Sequence, residues 1–411
     1  MEKSELLRNF SALKIKYMTE TPDNRLWNKS FIYAFASNFL MMFAFYLLIP
    51  TLPFYLDSYF HSDKTTIGVV MSIYIVAALA IRPFSSYFID TMDRKKLYIA
   101  AYIAFTLLFA LYPFASMLGL FILLRILHGF TFGITTTAGN TLAIDILPST
   151  RRGEGIGYFG LSTNIAMAMG PMTGLFLMEI FDFAYIFWFA FMSGIIGLLM
   201  TISIHAPHHK TMKHEPIFLD RFILVKAIPS GINLLLLSLS YGLIISFGAV
   251  FGKEIMASNT GLFYTLLATG IFVARFSSGR FLNAGKFKPI GTISIILLTI
   301  CFALLAQTTQ AWEYYTLAVF IGLGFGMLTP AFQTMTVNMA PHSKRGTANS
   351  TFFTSLDLGV GGGMLLGGQI SQIWNLNTAF AIVAAINLIG LFLFIRCSIP
   401  LYNKNKVVDN H

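Results

Sequence analysis

The chain has 411 residues, of which 56% are hydrophobic and 11% are charged, and its formal net charge is +10. Soluble globular proteins have about 25% charged residues. Half of that share leaves too few charges to solvate the surface of a protein of this size. The composition therefore argues against a large water-soluble domain and indicates a protein whose outer surface faces lipid.

Apolar segments long enough to cross a bilayer follow one another along the chain. A membrane helix needs roughly 20 mostly apolar residues, and about twelve segments meet this criterion. The predicted spans are 31–54, 66–90, 97–115, 117–143, 155–180, 183–205, 222–251, 258–283, 288–307, 311–340, 348–372 and 376–398. A turn at Pro113 and Ser116 separates the third span from the fourth. We therefore predict an all-α membrane protein with about twelve transmembrane helices.

The spans form two groups of six, with polar segments before, between and after them. The predicted organisation is a cytoplasmic N-terminal segment (1–30), an N-terminal six-helix bundle (31–205), a cytoplasmic linker (206–221), a C-terminal six-helix bundle (222–398) and a cytoplasmic tail (399–411). The histidines at 205, 208, 209 and 214 in and beside the linker are interpreted as solvated side chains. No metal site is predicted.

The basic residues of the loops predict the orientation. Cytoplasmic loops of membrane proteins carry an excess of Lys and Arg. Nearly all Lys and Arg fall in the termini and the even-numbered loops, whereas Lys64 and Lys253 alone fall in the odd-numbered loops. Both termini are therefore predicted to be cytoplasmic. The positive net charge is explained by topology, so no nucleic-acid partner is predicted.

The two groups of spans repeat each other at a constant offset of 193 residues, as from Gly129 to Gly322. The matching residues at positions 82, 85, 129, 133, 136, 138 and 141 are Arg, Ser, Gly, Gly, Thr, Ala and Thr in both copies. Six spans separate the copies, so both halves have the same orientation. Parallel repeats of this kind are a transporter architecture, with the substrate site between the halves near the midplane.

Three sequence motifs resemble those of the major facilitator superfamily. The segment after the second span, with Asp90 followed by Arg94 and Lys95, is similar to G-x-L-A-D-R-x-G-R-K. The fourth span contains Arg125-Ile-Leu-His128-Gly129, which is similar to R-x-x-Q-G. The fifth contains Gly170-Pro171-Met-Thr-Gly174, which is similar to the G-P-x-x-G element of proton antiporters.

The resemblance extends over essentially the whole membrane region and implies two pseudo-symmetric six-helix bundles. It implies a secondary transporter in a bacterial inner membrane that acts as a monomer. The bacterial drug and metabolite proton antiporters are the branch it resembles. Such a protein needs no cofactor, because the proton gradient supplies the energy. The chain has neither a phosphate-binding loop of the P-loop type nor a hydrolase motif, so it is not expected to be an enzyme.

Ionisable groups inside a membrane are costly, so each is a functional hypothesis. Asp357 is the one acidic residue predicted well inside a span, and its repeat-mate is Asn164. It is interpreted as a carboxylate that loads and releases a proton, or as a structural acid held by an ion pair. Arg125 is interpreted from the resemblance as a proton-transfer or cavity residue. His128, at i+3, is interpreted as a titrating residue or as a packing residue.

Two further groups of residues are candidates. Arg82 and Arg275 are repeat-mates that line an anion-attracting entrance to the cavity, cap backbone carbonyls, or pair with Asp145 and its neighbours. Asp90, Arg94, Lys95, Asp145 and Arg152 are candidates for a cytoplasmic charge cluster that stabilises one conformation, or are simple topology charges. Gly170, Pro171 and Gly174 are predicted to form a small-residue surface that moves during transport, or a tightly packed static one.

The sequence thus predicts a transporter of a small molecule that works by alternating access. Proton-coupled efflux of drug-like or amphipathic metabolites is the leading hypothesis. Uptake or export of an organic anion or a sugar derivative is the alternative, because Arg82, Arg125 and Arg275 outnumber Asp357 within the spans. A membrane receptor that transports nothing is a third hypothesis. Asp357 and Arg125 argue against this hypothesis, because a receptor has no need for a titratable pair at the midplane of the membrane.

Overall fold

The computed structural model describes residues 26–147, 151–206, 223–340 and 345–407. Helices dominate these ranges, and no strand occurs in them. The N-terminal bundle contains six long helices: α1 Lys29–Leu48, α2 Lys64–Thr91, α3 Arg94–Leu111, α4 Leu118–Ile146, α5 Arg152–Ile180 and α6 Phe183–Ile202. The C-terminal bundle contains six more: α7 Ile228–Glu254, α8 Thr260–Asn283, α9 Phe287–Leu305, α10 Ala311–Asn338, α11 Arg345–Ile373 and α12 Leu376–Leu393.

The described part of the chain contains eleven helices that are long and apolar enough to cross a membrane. The remaining long helix, α11, has 29 residues but is rich in Gly, Ser and Thr. Its length is sufficient for a span, since an α-helix rises about 1.5 Å per residue. The all-α fold with two six-helix bundles predicted from the sequence is therefore confirmed.

Several predicted spans differ from the observed helices at their ends. The first predicted span, 31–54, is broken after Leu48, and a separate helix Leu52–Phe60 follows it with Pro53 in its first turn. Proline fits a first helical turn because its missing N–H has no partner there. The turn predicted at Pro113 is present as a short 3-10 helix, Tyr112–Phe114. The predicted tail begins as a helix, Ile399–Asn405.

Side-chain caps fix the starts of four long helices. Asn28, Asp63, Asp93 and Asn375 each accept a hydrogen bond from a backbone N–H three residues later. Such caps satisfy one of the donors left free at a helix N-terminus. Hydrogen bonds from the side chain and backbone of Thr66 lower the pKa of the Asp63 carboxyl below its usual value.

Each bundle is held together by close packing and a few buried polar contacts. In the N-terminal bundle, Ser37 of α1 bonds to Thr201 of α6, and Nδ2 of Asn38 donates to Ser162 of α5 at 2.7 Å. In the C-terminal bundle, Ser240 of α7 donates to Asn387 of α12 at 2.9 Å. Polar contacts of this kind join membrane helices where lipid supplies no hydrophobic driving force.

The two bundles meet along two pairs of helices, α2 with α11 and α5 with α8. These two interfaces correspond to each other under the internal repeat. The N-terminal end of α2 lies against the C-terminal end of α11, where the Lys64 ammonium is 2.7 Å from the Glu254 carboxylate and the Lys64 N–H donates to Gln372. We call this end, defined by Lys64, Glu254 and Gln372, the closed end.

Two glycines allow the helices to cross closely near the closed end. A Cβ on Gly68 of α2 would lie 2.7 Å from the Met364 carbonyl oxygen and 3.1 Å from Cα of Gly368 in α11. Towards the opposite end, a Cβ on Gly160 of α5 or Gly279 of α8 would meet nothing within 4 Å. The bundles are therefore in backbone contact at the closed end, and α5 and α8 have open space beside them towards the other.

Candidate functional site

An ion pair joins the bundles part-way along the first interface. Arg82 of α2 contacts the carboxylate of Asp357 in α11, and the two side chains are 23% and 22% exposed. The guanidinium of Arg82 also lies 5.9 Å from the centre of the Phe353 ring. Both charges are thus largely withdrawn from solvent. Among the described residues, the carboxylate that Arg82 contacts is that of Asp357, whereas Asp145 accepts hydrogen bonds from Arg94.

The second interface carries the repeat-related contact, but with a neutral partner. Nη1 of Arg275 in α8 donates to Oδ1 of Asn164 in α5 at 2.7 Å. Arg275 is the repeat-mate of Arg82, and Asn164 is the repeat-mate of Asp357. The pseudo-symmetry therefore places two equivalent Arg contacts between the bundles, one with a carboxylate and one with an amide.

Tyrosines occupy the space between these two contacts. Tyr46 of α1 lies within electrostatic range of both Arg275 and Asp357, and Tyr241 of α7 lies within range of Tyr46 and Arg275. The hydroxyl of Tyr241 donates across the interface to Sδ of Met167 at 2.8 Å. A cavity of about 10 Å³ lies among Tyr46, Tyr241, Met167, Pro171 and neighbouring apolar residues, a volume of roughly one water.

A larger cavity lies beside Arg275 within the C-terminal bundle. Its volume is about 200 Å³, and it lies between α8 and α10. The lining residues are Arg275, Ser278, Gly279, Leu282, Thr329, Pro330 and Gln333. It combines apolar surface with a small number of polar side chains.

Arg125 and His128 lie inside the N-terminal bundle, away from the Arg82–Asp357 contact. Arg125 is 3% exposed, and its guanidinium lies 4.2 Å from the centre of the Tyr74 ring. Nδ1 of His128 is 2.9 Å from the hydroxyl of Tyr112, and the rings of Phe105 and Phe109 lie about 4.5 Å from its imidazole. Arg125 and His128 therefore belong to an aromatic core of the N-terminal bundle. The arginine that contacts Asp357 is Arg82.

The predicted charge cluster is only partly described. Nη1 of Arg94 in α3 donates to both carboxylate oxygens of Asp145 in α4 at 2.9 and 2.8 Å, and Lys95 is half-buried next to it. This bond joins two helices of one bundle. The side chains of Asp90 and Arg152 lie outside the described residues, as do the linker histidines 208, 209 and 214.

Gly170 and Gly174 of α5 pack against α1, within the N-terminal bundle. A Cβ on Gly174 would lie 2.1 Å from the Leu47 carbonyl oxygen, and one on Gly170 would lie 2.9 Å from the Leu47 nitrogen. Pro171 lines the small cavity beside Tyr46. The small-residue surface is therefore tightly packed inside one bundle. The glycines that join the two bundles, Gly68 and Gly368, carried no motif in the sequence.

Comparisons with known proteins agree with this architecture. The family model for the Major Facilitator Superfamily matches residues 34–361 and 232–409. Two proteins from Staphylococcus aureus are each 24% identical to this chain: the staphylopine export protein over 327 residues, covering 76% of this chain and 82% of that protein, and the quinolone resistance protein NorA over 336 residues, covering 79% and 86%.

Solved structures show the same fold. The crystal structure of the nucleoside transporter NupG superposes with a TM-score of 0.73 at 16% identity and covers 89% of this chain and 98% of that one. The family match spans both bundles, and the two observed bundle interfaces follow the internal repeat. The chain therefore belongs to the Major Facilitator Superfamily of membrane transporters.

Proposed function

We propose that this protein is a proton-coupled exporter of small amphipathic molecules that works by alternating access between the two bundles. The single observation that carries the proposal is the ion pair between Arg82 and Asp357, which joins α2 to α11. A carboxylate in this position has two competing partners, a guanidinium and a proton. Binding of a proton to Asp357 therefore competes with the contact that Asp357 makes with Arg82 between the bundles.

The coupling follows from the charge of Asp357. While Asp357 is ionised, its carboxylate attracts Arg82 across the interface and stabilises the arrangement with the closed end in contact. A proton on the carboxylate removes one of the two charges, so the electrostatic part of this attraction is lost. Since the side chain is 22% exposed, a proton can reach it from solvent. Loading and release of a proton would therefore bias which end of the protein is closed.

The orientation follows from the loop charges. With Arg94 and Asp145 on the cytoplasmic side, the closed end faces outward, and the space beside Gly160 and Gly279 faces the cytoplasm. In the proposed cycle, we take the described arrangement as the one that receives substrate from the cytoplasm. Both termini are cytoplasmic in this topology, and we place the protein in a bacterial inner membrane as a monomer.

The substrate class is supported by the chemistry of the centre and by the relatives. Tyr46, Tyr241, Tyr264 and Met167 lie around the small cavity between the bundles, and aromatic and thioether side chains pack well against apolar rings. The related proteins are a staphylopine exporter and a quinolone resistance protein. These observations favour export of amphipathic, drug-like molecules or metabolites.

A second candidate function is transport of an organic anion or a sugar derivative. The observation that favours it is Arg275, whose described partner is the neutral side chain of Asn164. Neither candidate requires a cofactor, because the proton gradient supplies the energy. A receptor without transport activity is disfavoured by the Arg82–Asp357 pair, because ionisable groups within a membrane are costly and commonly mark substrate, ion or proton pathways.

The test is proton movement in proteoliposomes that contain the wild type or the Asp357→Asn variant. Lipophilic cations and organic anions are added in turn under an imposed proton gradient. We expect one of these classes to drive proton movement in the wild type and to fail in the variant. Substrate movement without proton movement, or an unchanged variant, would refute coupling at Asp357. The Lys288→Gln variant serves as a control, because Lys288 is an exposed residue at the end of α9.

A further inference from the structure

The two bundle interfaces differ by one charge. The Arg82 charge is neutralised by Asp357, whereas the repeat-related Arg275 donates to the neutral amide oxygen of Asn164. No ion pair involving Arg275 occurs among the described residues. Among the described residues, the interface between the bundles therefore holds one guanidinium, that of Arg275, whose positive charge has no carboxylate partner.

The guanidinium of Arg275 has hydrogen-bonding capacity left. A guanidinium has five N–H donors, and the bond from Nη1 to Asn164 uses one of them. Arg275 also lines the cavity of about 200 Å³ between α8 and α10. A group that entered this cavity would therefore meet a positive charge with donors available.

The hydroxyl of Ser278 is a second donor in the wall of the same cavity. Ser278 lies one helical turn beyond Arg275, lines the cavity and is 4% exposed. Its hydroxyl is buried and has no hydrogen-bond partner among the described residues. A buried polar group left unpaired costs free energy, so it normally has a partner. Within the described part of the chain, Ser278 thus places an unsatisfied hydroxyl in the wall of the cavity, beside the free donors of Arg275.

The other walls limit what such a ligand can be. Leu282 and Pro330 are apolar, and the Gln333 amide nitrogen already donates to Asn349 at 2.9 Å. The hydroxyl of Thr329 donates to the Phe325 carbonyl. The cavity thus offers donors on the α8 side and apolar surface beside them. A cationic group would be repelled by Arg275.

We propose that the cavity lined by Arg275 and Ser278 binds the anionic group of the transported molecule, a carboxylate, sulfonate or phosphate monoester attached to an apolar body. This proposal rests on the proposed transport function and specifies its substrate class. Arg275 supplies a charge-assisted hydrogen bond, which is stronger than a neutral one. Ser278 supplies a second donor. The Asn164 amide orients the guanidinium without competing for its charge.

The experiment is calorimetric titration of the purified protein in lipid nanodiscs with four probes of matched size: benzoate, phenyl phosphate, benzamide and benzylammonium. We expect both anions to bind about tenfold or more tightly than benzamide, as expected for a charged hydrogen bond. The Arg275→Gln variant should lose this preference, and Arg275→Lys should keep part of it. The control variant Lys288→Gln should bind like the wild type.

The repeat provides a sharper variant. Asn164→Asp gives Arg275 the same carboxylate partner that Arg82 has in Asp357. It should abolish the preference for anions although the arginine is retained. Each variant is compared with the wild type in its thermal unfolding midpoint, so that loss of fold is separated from loss of binding.

Several outcomes would overturn the proposal. These are equal affinity for benzoate and benzamide, no binding of either anion by the folded wild type, or an anion preference that survives in both Arg275→Gln and Asn164→Asp. The proton movement assay is scored separately. If anions bind as expected but no substrate moves protons, the proposed coupling is wrong and the anion site stands. If protons move with neutral or cationic substrates alone, the anion site is wrong and coupling stands.

Discussion

Removal of the Asp357 charge should shift the balance between the two conformations of the transporter. In the Asp357→Asn variant, an amide oxygen still accepts a hydrogen bond from Arg82, as Asn164 does from Arg275 at 2.7 Å. What is lost is the electrostatic part of the contact. The variant should therefore populate the conformation in which the bundles separate at the closed end more than the wild type does.

The magnitude follows from the burial of the pair. Two charges about 4 Å apart interact by about 4 kcal/mol at an effective dielectric constant of about 20, and desolvation offsets part of this. A hydrogen bond to a charged group contributes about 1.5–3 kcal/mol net. Because both side chains are less than one quarter exposed, we take about 2 kcal/mol, which corresponds to a roughly 30-fold change in the ratio of the two conformations.

The assay is a distance measurement between spin labels on Lys96→Cys and Lys288→Cys, two exposed positions at the end opposite the closed one. The exposed Cys397 is replaced by serine, and Cys301 is buried. We expect Asp357→Asn to raise the population with the shorter distance between the labels. Arg82→Gln should cause the same shift.

Two further variants test whether the effect belongs to the pair. The double variant Arg82→Gln/Asp357→Asn should shift the populations no further than either single variant, because the same interaction is removed. The exchanged pair Arg82→Asp/Asp357→Arg should restore part of the wild-type distribution. Additive effects of the two single variants, or distances that do not change in either, would refute the role of the ion pair.

Three further predictions concern the packing of the bundles. Gly68→Leu should prevent contact at the closed end, where even a Cβ would lie 2.7 Å from a backbone oxygen. The same spin labels should then report only the shorter distance, and an unchanged distance distribution would contradict this. Gly174→Ala should lower the thermal unfolding midpoint, because overpacking costs about 1–3 kcal/mol. Gly160→Ala should not lower it, because a Cβ at Gly160 would meet open space. Equal effects of the two variants would contradict the described packing. Asp145→Asn should reduce the free energy of unfolding by about 1–3 kcal/mol, and so lower the unfolding midpoint, because Arg94 loses a charged partner. A shift in label distance without a loss of stability would show instead that the Arg94–Asp145 pair controls conformation.

The architecture was predictable from the sequence because its signals are repeated many times. The spans follow from apolar length alone, and the repeat from identities such as Gly129 with Gly322. Span ends were less predictable. The helix ends at Leu48 although the apolar sequence continues, so apolar length alone does not predict this break. Pro53 does mark the start of the next helix, Leu52–Phe60.

The site was predictable by residue type but not by partner. Asp357 and Arg82 were both candidates, yet the sequence does not say that one helix of each bundle brings them together. The offset of the repeat relates Arg82 to Arg275 and Asp357 to Asn164, but it contains no distances. Tyr46 and Tyr241 were not predicted, because single tyrosines in an aromatic-rich chain carry no distinguishing pattern. Gly68 and Gly368 were missed for a similar reason.

The difference between Asp357 and Asn164 also sets the stoichiometry of the proposed cycle. Since one of the two equivalent positions cannot bind a proton, each cycle carries one proton inward through this site. If the cargo is a monoanion leaving the cell, two elementary charges move in the favourable direction per cycle. A membrane potential of 100 mV contributes about 2.3 kcal/mol for each of them, so the transport would be electrogenic and would continue without a pH difference.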